Sequence, residues 1–309
     1  MKIESFPRKL FLFRNNLCMF AQTQNELHNM KHMSILAVSL LALVACTPEK
    51  KQEADYSQYV NPMIGTDFTG NTYPGAQVPF GMVQLSPDNG LPGWDRISGY
   101  FYPDTTIAGF SHTHLSGTGA GDLYDISFMP VTRPYKEAPA PLGIYSTFSH
   151  NDEAASAGYY RVLLKDYNIN VELTATERCG IQRYTFPEAE ASVFLNLKKA
   201  MNWDFTLDSK IEVVDSTTIR GYRLSQGWSP LQHVYFETRF SKPFVACHMD
   251  TTSIVTKEKG WIGTAYVARF DFNTKKDEEI LVTTGISGVS MEGAGKNLRA
   301  EAPKDDFDY

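Results

Sequence analysis

The sequence predicts an all-β protein built on one large antiparallel β-sandwich. Short apolar runs follow one another from residue 59 onward, with turn-forming residues between them, and no convincing amphipathic helix of more than about twelve residues interrupts them. Aromatic residues make up 13% of the 309 residues, which favours strands because flat rings pack well on a pleated sheet. Many strands at short spacing, without helices between them, are typical of a sandwich.

Alternation of apolar and polar residues marks the individual strands. Ile169, Val171 and Leu173 alternate with polar residues, which is the pattern of a strand with one buried face. Comparable runs predict strands at 159–165, 181–186, 192–197, 211–215, 218–226, 234–240, 265–272 and 279–287. The glycine-rich stretch at 292–297 is interpreted as a turn-rich exit from the last strand.

The N-terminal segment predicts an exported bacterial lipoprotein. A short basic start at 30–33 precedes an apolar run at 34–45, which is the pattern of a signal peptide and too short for a membrane-spanning helix. Cys46 ends a sequence similar to a lipoprotein signal, so we expect a lipid on Cys46 and a location at the outer membrane, on its periplasmic or cell-surface side. A chance cysteine after an ordinary signal is the alternative. Residues 1–29 are interpreted as a preface from an early start codon, and 46–58 as a tether.

Charge and cysteine content narrow the possible partners. The net charge is −6, and no cluster of Lys and Arg follows residue 60, so we expect no nucleic-acid partner and membrane contact only through the lipid anchor. Cys179 and Cys247 lie in strand-like runs without metal-type spacing. A disulfide between them and two buried free thiols both remain open.

Candidate site residues concentrate between residues 59 and 130, where glycines and polar side chains predict loops carried by a rigid sandwich. Trp94 is a candidate platform for stacking on a sugar ring, and Asp95 a candidate acceptor for two sugar hydroxyls. A tryptophan packed at the base of a loop, with Asp95 capping a turn, is the alternative. His112 and His114 share one face if they lie on a strand, where they can bind sugar hydroxyls, support the fold or hold a transition metal.

Seven blocks of sequence, in this order, resemble the N-terminal domain of glycoside hydrolase family 92, the exo-acting α-mannosidases of gut Bacteroidetes. They are VNPMIGT (60–66), GNTYPGAQVPFGMVQLSPD (70–88), SGYFYPDTTIAGFSHTHLSGTG (98–119) with the following Asp122, FMPV (128–131), GYRLSQGW (221–228), VYFETRFSKPF (234–244) and EGAGKNL (292–298). The resemblance covers nearly all of 59–309. It implies a sandwich domain at 59–298 and, at 299–309, the start of a linker to a catalytic (α/α)6 barrel that this chain does not reach.

The resemblance also implies an activity and a division of labour. The reaction is hydrolysis of a terminal α-mannoside with inversion, by one carboxylic acid and one carboxylate that activates water. A calcium ion binds the mannose 2- and 3-hydroxyls. The acid, the base and the calcium ligands are expected in the barrel, so no catalytic residue or metal ligand is assigned to this chain. The sandwich is expected to complete the pocket for mannose-terminated oligosaccharides or N-glycans through Trp94, Asp95, His112, His114, Asn71 and Asp122.

Two other functions remain open from the sequence. The chain can be a free-standing carbohydrate-binding surface lipoprotein, or a metal-dependent sandwich enzyme that uses His112 and His114.

Overall fold

A computed structural model describes residues 55–198, 204–250, 254–257, 261–264 and 266–308. The predicted preface, the signal peptide, the lipidation site at Cys46 and nearly all of the tether lie outside the described residues. Within the described part of the chain, no helix has both the length and the apolar character needed to cross a membrane.

The described residues form mainly strands. In chain order the strands are β1 (Ala76–Gln77), β2 (Gln84–Asp88), β3 (Thr106–Ile107), β4 (Gly109–Ser111), β5 (Ser127–Thr132), β6 (Glu137–Ala138), β7 (Gly143–Ile144), β8 (Ser146–Thr147), β9 (Glu153–Ser156), β10 (Tyr159–Leu164), β11 (Ile169–Ala175), β12 (Cys179–Phe186), β13 (Ala189–Asn196), β14 (Phe205–Val213), β15 (Thr218–Gln226), β16 (Gln232–Phe240), β17 (Ala246–Asp250), β18 (Ile254–Lys257), β19 (Trp261–Thr264), β20 (Val267–Thr274) and β21 (Glu278–Ser287). The helical segments of the same residues are the 3-10 helices Ser57–Tyr59, Trp94–Arg96 and His150–Asp152 and the α-helix α1 (Met291–Glu301).

Two large antiparallel sheets contain most of these strands. One has the order β1-β2-β4-β5-β13-β20-β17, and the other β14-β15-β16-β21-β12-β11-β10-β9. The pairs β3-β8, β6-β7 and β18-β19 form small separate sheets. The predicted all-β sandwich is confirmed, and each predicted strand has a counterpart, although β14 begins well before the predicted strand at 211–215.

Aromatic residues from both large sheets meet in one core. The ring of Phe240, on β16, lies 6.4 Å from that of Phe128 on β5 and 5.2 Å from that of Phe270 on β20. The inward residues of β15 and β16 alternate with partly exposed ones along each strand. This period of two explains why the sequence pattern located these strands.

The interpretation of 292–297 as a turn-rich exit is wrong, because these residues lie in α1. The helix begins after Ser290, whose hydroxyl accepts a hydrogen bond from the Gly293 N–H at 3.0 Å. Glycines inside a helix usually weaken it, which is why the sequence pattern favoured a turn. Burial of the helix on a sheet compensates for that weakness.

Glycine permits the close approach of α1 to the outer face of β21. A Cβ placed on Gly285 would lie 2.5 Å from the Ala294 carbonyl oxygen and 2.8 Å from the Leu298 Cβ. A second apolar cluster forms between helix and sheet, and it includes Leu298, Ala302 and Phe307. Packing therefore continues to Phe307, beyond the boundary predicted at 298.

The two cysteines are free thiols in the structure, Cys179 buried and Cys247 partly exposed. Cys179 begins β12 and Cys247 lies on β17, and these strands belong to different sheets. The structure therefore has two free thiols and not the disulfide that the sequence also allowed.

The contact between α1 and β21 predicts a large penalty for Gly285→Ala. The added methyl group overlaps helix backbone that cannot move without separating helix and sheet, so we expect a loss of about 1–3 kcal/mol in the free energy of unfolding. Urea unfolding of the 309-residue chain measures this. Gly288→Ala is the matched control, because a Cβ there meets only the His233 carbonyl oxygen, at 4.0 Å. Equal losses in the two variants would contradict this packing.

Candidate functional site

The segment 115–122 contacts three other loops, and together these four loops form what we call the site rim: residues 65–72, 93–96, 115–122 and 227–229. The Gly117 N–H donates to the Asn71 carbonyl oxygen at 2.6 Å. A Cβ on Gly119 would lie 3.2 Å from Cη2 of Trp94, so the indole rests close to this glycine. Asp122 binds the backbone of the fourth loop. The rim thus brings Asn71, Trp94 and Asp122 together.

Trp94 and Asp95 are rim residues whose side chains a ligand can reach. They lie in the 3-10 helix Trp94–Arg96, where 58% of Trp94 is exposed and Asp95 is partly exposed. Arg96 fixes this turn, because its guanidinium donates to both carboxylate oxygens of Asp104 at 2.6 and 2.5 Å. The carboxylate of Asp95 makes no hydrogen bond within the described residues, so it is available to a ligand.

Asn71 supports the rim from below its surface. Its backbone has a φ of 52°, a left-handed conformation that asparagine tolerates better than most residues. Only 7% of the residue is exposed, and its Nδ2 donates to the Thr69 carbonyl oxygen at 3.4 Å. The side-chain oxygen is buried without a hydrogen-bond partner in the described structure. A spare acceptor therefore lies just beneath the rim.

Asp122 is a structural anchor in this structure. Its two carboxylate oxygens accept the N–H groups of Trp228 and Ser229, each at 2.8 Å. A Cβ on Gly227 would lie 2.2 Å from Oδ1 of Asp122, so glycine is required for the carboxylate to approach. Asp122 thereby holds the β15–β16 connection, where Trp228 is 81% exposed. In the sequence, Trp228 is distinguished only as the last residue of the block at 221–228.

His112 is buried between the sheets and does not reach the rim surface. It follows the end of β4, its Nδ1 donates to the Ile126 carbonyl oxygen at 2.7 Å, and its ring packs against Phe128. Its Nε2 has no partner in the described structure, and a Cβ on Gly180 would lie 2.7 Å from it. Burial lowers the pKa of His112 from 6.5 to about 4, so the ring is neutral near pH 7.

His114 occupies a separate buried position. Nδ1 donates to the Gln84 carbonyl oxygen at 2.7 Å, and Nε2 lies 3.0 Å from a carboxylate oxygen of Asp88. The Ser111 hydroxyl lies 3.1 Å from the same Nε2, so protein groups hold both ring nitrogens. The side chains of His114 and Asp88 are fully buried. Direct sugar contact by His112 or His114 stays a prediction, while their visible contacts support the loops around them.

A buried ionic cluster beneath the rim was missed by sequence reasoning. Arg223 points inward from β15 and is fully buried. It donates to Asp125 at 2.6 Å and to Asp204 through its other terminal nitrogen. The carboxylates outweigh the effect of burial and raise the pKa of Arg223. Burial raises the pKa of Asp204 to about 6, although Arg223 opposes that shift.

Asp125 joins this cluster to the segment below the rim. Its second carboxylate oxygen accepts hydrogen bonds from the Thr113 hydroxyl and from Nε2 of Gln232, both at 2.7 Å. The neighbouring residues Leu123, Tyr124 and Ile126 have φ values of 86°, 66° and 55°. Such conformations cost free energy in residues other than glycine and persist only where surrounding contacts impose them. Arg223 supplies one such contact to the Leu123 carbonyl oxygen at 3.3 Å, and Thr113 and His112 bind the backbone of Tyr124 and Ile126.

Comparison with known proteins identifies the domain. A model of the glycosyl hydrolase family 92 N-terminal domain matches residues 59–287. This chain belongs to glycosyl hydrolase family 92. A family 92 α-mannosidase from Bacteroides thetaiotaomicron, solved in complex with mannoimidazole, is similar at 38% identity and a TM-score of 0.72 over 80% of this chain and 34% of its own.

Two further relatives agree with this assignment. An inverting mannosidase of family 92 from Bacteroides thetaiotaomicron VPI-5482 is 26% identical, with a TM-score of 0.66 over 83% of this chain and 34% of its own. An uncharacterized secreted glycosidase from Arthroderma benhamiae is 26% identical over 172 residues, which are 52% of this chain and 21% of that protein. This chain therefore spans about a third of the length of the two mannosidases.

The described residues of the family 92 domain do not by themselves fit a calcium site. No group of three or more His, Cys, Asp or Glu side chains among them is placed to hold a metal ion. The nearest carboxylates to the rim already accept protein donors, since Asp122 binds two backbone N–H groups and Asp125 binds Arg223. Asp67 accepts the Phe68 N–H through one oxygen, and Asp95 adds one further carboxylate, which together are fewer oxygen ligands than calcium needs.

The pH dependence of stability tests the burial of His112. Because its pKa is lowered, the folded state binds fewer protons at this ring than the unfolded state between about pH 6.5 and pH 4. Its contribution is therefore present above pH 6.5 and lost as the pH falls towards 4. His112→Asn keeps an N–H donor for the Ile126 carbonyl and removes the titration. Between pH 7 and pH 4, we expect the wild type to lose on the order of 2–3 kcal/mol relative to this variant in urea unfolding. If the stabilities of the wild type and of His112→Asn instead changed equally with pH, His112 would be solvated.

Proposed function

We propose that this domain recognises mannose on behalf of an exported, calcium-dependent, inverting exo-α-mannosidase that acts on mannose-containing glycans. The observation that carries the proposal is the site rim, where the exposed ring of Trp94 stands beside the unoccupied carboxylate of Asp95 on a turn fixed by Arg96 and Asp104. The likeness to the two Bacteroides mannosidases supports the sugar, and the secreted relative supports export.

The chemistry of Trp94 and Asp95 suits one hexose. A pyranose presents several C–H groups on one face, which pack against an aromatic ring, and hydroxyl pairs at its edge, which donate to a carboxylate. Placing both groups on one short, braced turn reduces the ordering cost of binding. The buried acceptor of Asn71 adds polarity to the same set of loops.

The bond-breaking groups are proposed to come from a second domain, an (α/α)6 barrel. Inversion needs an acid and a base on opposite faces of the sugar. In the described residues, Asp122 and Asp125 bind protein groups and Asp67 accepts the Phe68 N–H, which leaves Asp95 as the rim carboxylate with both oxygens free of hydrogen bonds among these residues. Calcium, when bound by oxygen ligands from that second domain, would hold the sugar hydroxyls, and this chain would orient the same sugar from the other side.

A free-standing carbohydrate-binding lipoprotein is the second candidate function. The observation in its favour is that the bonds from Gly117 to Asn71 and from Trp228 and Ser229 to Asp122 join rim loops within the described residues of this domain. Such a rim can bind a sugar without a second domain. The two functions therefore share the rim and differ in the need for a barrel.

The structure of the rim predicts that this chain binds a mannoside without hydrolysing it. We expect the purified 309-residue chain to bind methyl α-D-mannopyranoside in an NMR titration, with a shift of the Trp94 indole signal, and to leave 4-nitrophenyl α-D-mannopyranoside intact with or without calcium. Trp94→Ala should weaken binding by about tenfold, because the ring face is lost.

Val245→Ala is the matched control, since Val245 is 65% exposed beyond the far end of β16 from Trp228. Hydrolysis by this chain would refute the assignment of the catalytic groups to another domain. Unchanged binding in Trp94→Ala would refute recognition by the rim.

A further inference from the structure

We propose that Trp228 is a second stacking platform, which binds the sugar unit next to the one held at Trp94, and that Asp122 is the positioning residue for it. This inference rests on the proposed function of the rim. It extends recognition from one mannose to at least two linked hexoses.

The way Trp228 is held points to a function beyond chance exposure. Single exposed apolar side chains are common on proteins and need no explanation. At Trp228, however, Asp122, a residue that is 4% exposed, uses both carboxylate oxygens to bind two successive backbone N–H groups, those of Trp228 and Ser229. The position before them must be glycine, because a Cβ on Gly227 would collide with Asp122. The backbone is therefore fixed while the large ring is left in solvent.

The hairpin that carries Trp228 is braced a second time. Gln232, the first residue of β16, donates from its side chain to Asp125 at 2.7 Å. Arg223 on β15 donates to the same carboxylate at 2.6 Å. Both strands of the hairpin are thus tied to the segment next to the rim, and the backbone that carries Trp228 has a defined place relative to it.

The two tryptophans flank one short stretch of chain. Trp94 rests against Gly119, and Trp228 is anchored by Asp122, three residues later. Three residues span at most about 11 Å between Cα atoms. The loops that carry the two rings therefore attach to the same short stretch of chain, over a span comparable to that of neighbouring units of an oligosaccharide.

The surroundings of Trp228 favour a sugar as the occupant. Sugar rings have apolar faces for the indole and hydroxyls for the polar groups beside it, such as the Ser229 hydroxyl. A protein partner would need a larger continuous apolar surface to bind stably. The experiment must therefore distinguish glycan binding at Trp228 from contact with a protein surface.

The experiment compares a monosaccharide with an oligosaccharide on the 309-residue chain. Methyl α-D-mannopyranoside and an α-linked mannotriose are titrated by isothermal calorimetry and by NMR of the indole N–H signals. We expect Trp228→Ala to weaken mannotriose about tenfold and to leave the monosaccharide within about twofold. Trp228→Phe should retain most of the affinity. Asp122→Ala should copy the selective loss of Trp228→Ala, a readout that general destabilisation would not give.

Val214→Ala is the matched control, because Val214 is 50% exposed beyond the opposite end of β15. Unchanged mannotriose affinity in Trp228→Ala, with a loss in Trp94→Ala, would overturn this inference and leave the proposed function standing. Equal weakening of both sugars by Trp228→Ala would also overturn it, since the ring would then belong to the first sugar's pocket. Absence of binding by either sugar would refute the proposed function and this inference together.

Discussion

A buried guanidinium between two carboxylates organises the site end of this domain. Arg223 lies on an inward position of the eight-stranded sheet, and its partner Asp125 precedes β5 of the seven-stranded sheet. It also donates to the Leu197 carbonyl oxygen at 3.2 Å, just after β13 ends. Burying such charges is unfavourable unless every group finds a partner, and removing one partner typically costs about 3–5 kcal/mol. The cluster therefore fixes how the two sheets and their loops meet.

The shape of the rim follows from that constraint. Asp125 is held from several sides, so the adjacent residues are kept in left-handed conformations that they would otherwise avoid. The chain then reaches Asp122, which orders the connection that carries Trp228. His112 and His114 fill the space below with neutral and paired rings. Buried polar contacts thus leave a rigid edge with exposed aromatic rings.

Much of the fold could be predicted from the sequence, because alternation with a period of two reports which face of a strand is buried. The helix α1 could not, since its glycines approach Ser287 and Glu237 closely and Gly285 admits its backbone, and local propensity does not reveal such packing. Trp94 and Asp95 were predicted as site residues from their loop setting and the family resemblance, and their role stays a prediction. The burial of His112 and the inward position of Arg223 depend on contacts far apart in sequence. Trp228 belonged to a matching block, but only the contact with Asp122 singled it out.

Amide hydrogen exchange in Arg223→Met tests most directly whether the ionic cluster holds the rim. The wild-type chain should show strong protection at 122–126 and 226–232, and the variant should lose it there while β10 and β11 stay protected. Arg220→Met is the matched control, because Arg220 lies on the partly exposed outer face of the same strand. Rim segments that exchange equally in the wild type and in Arg223→Met would contradict this account.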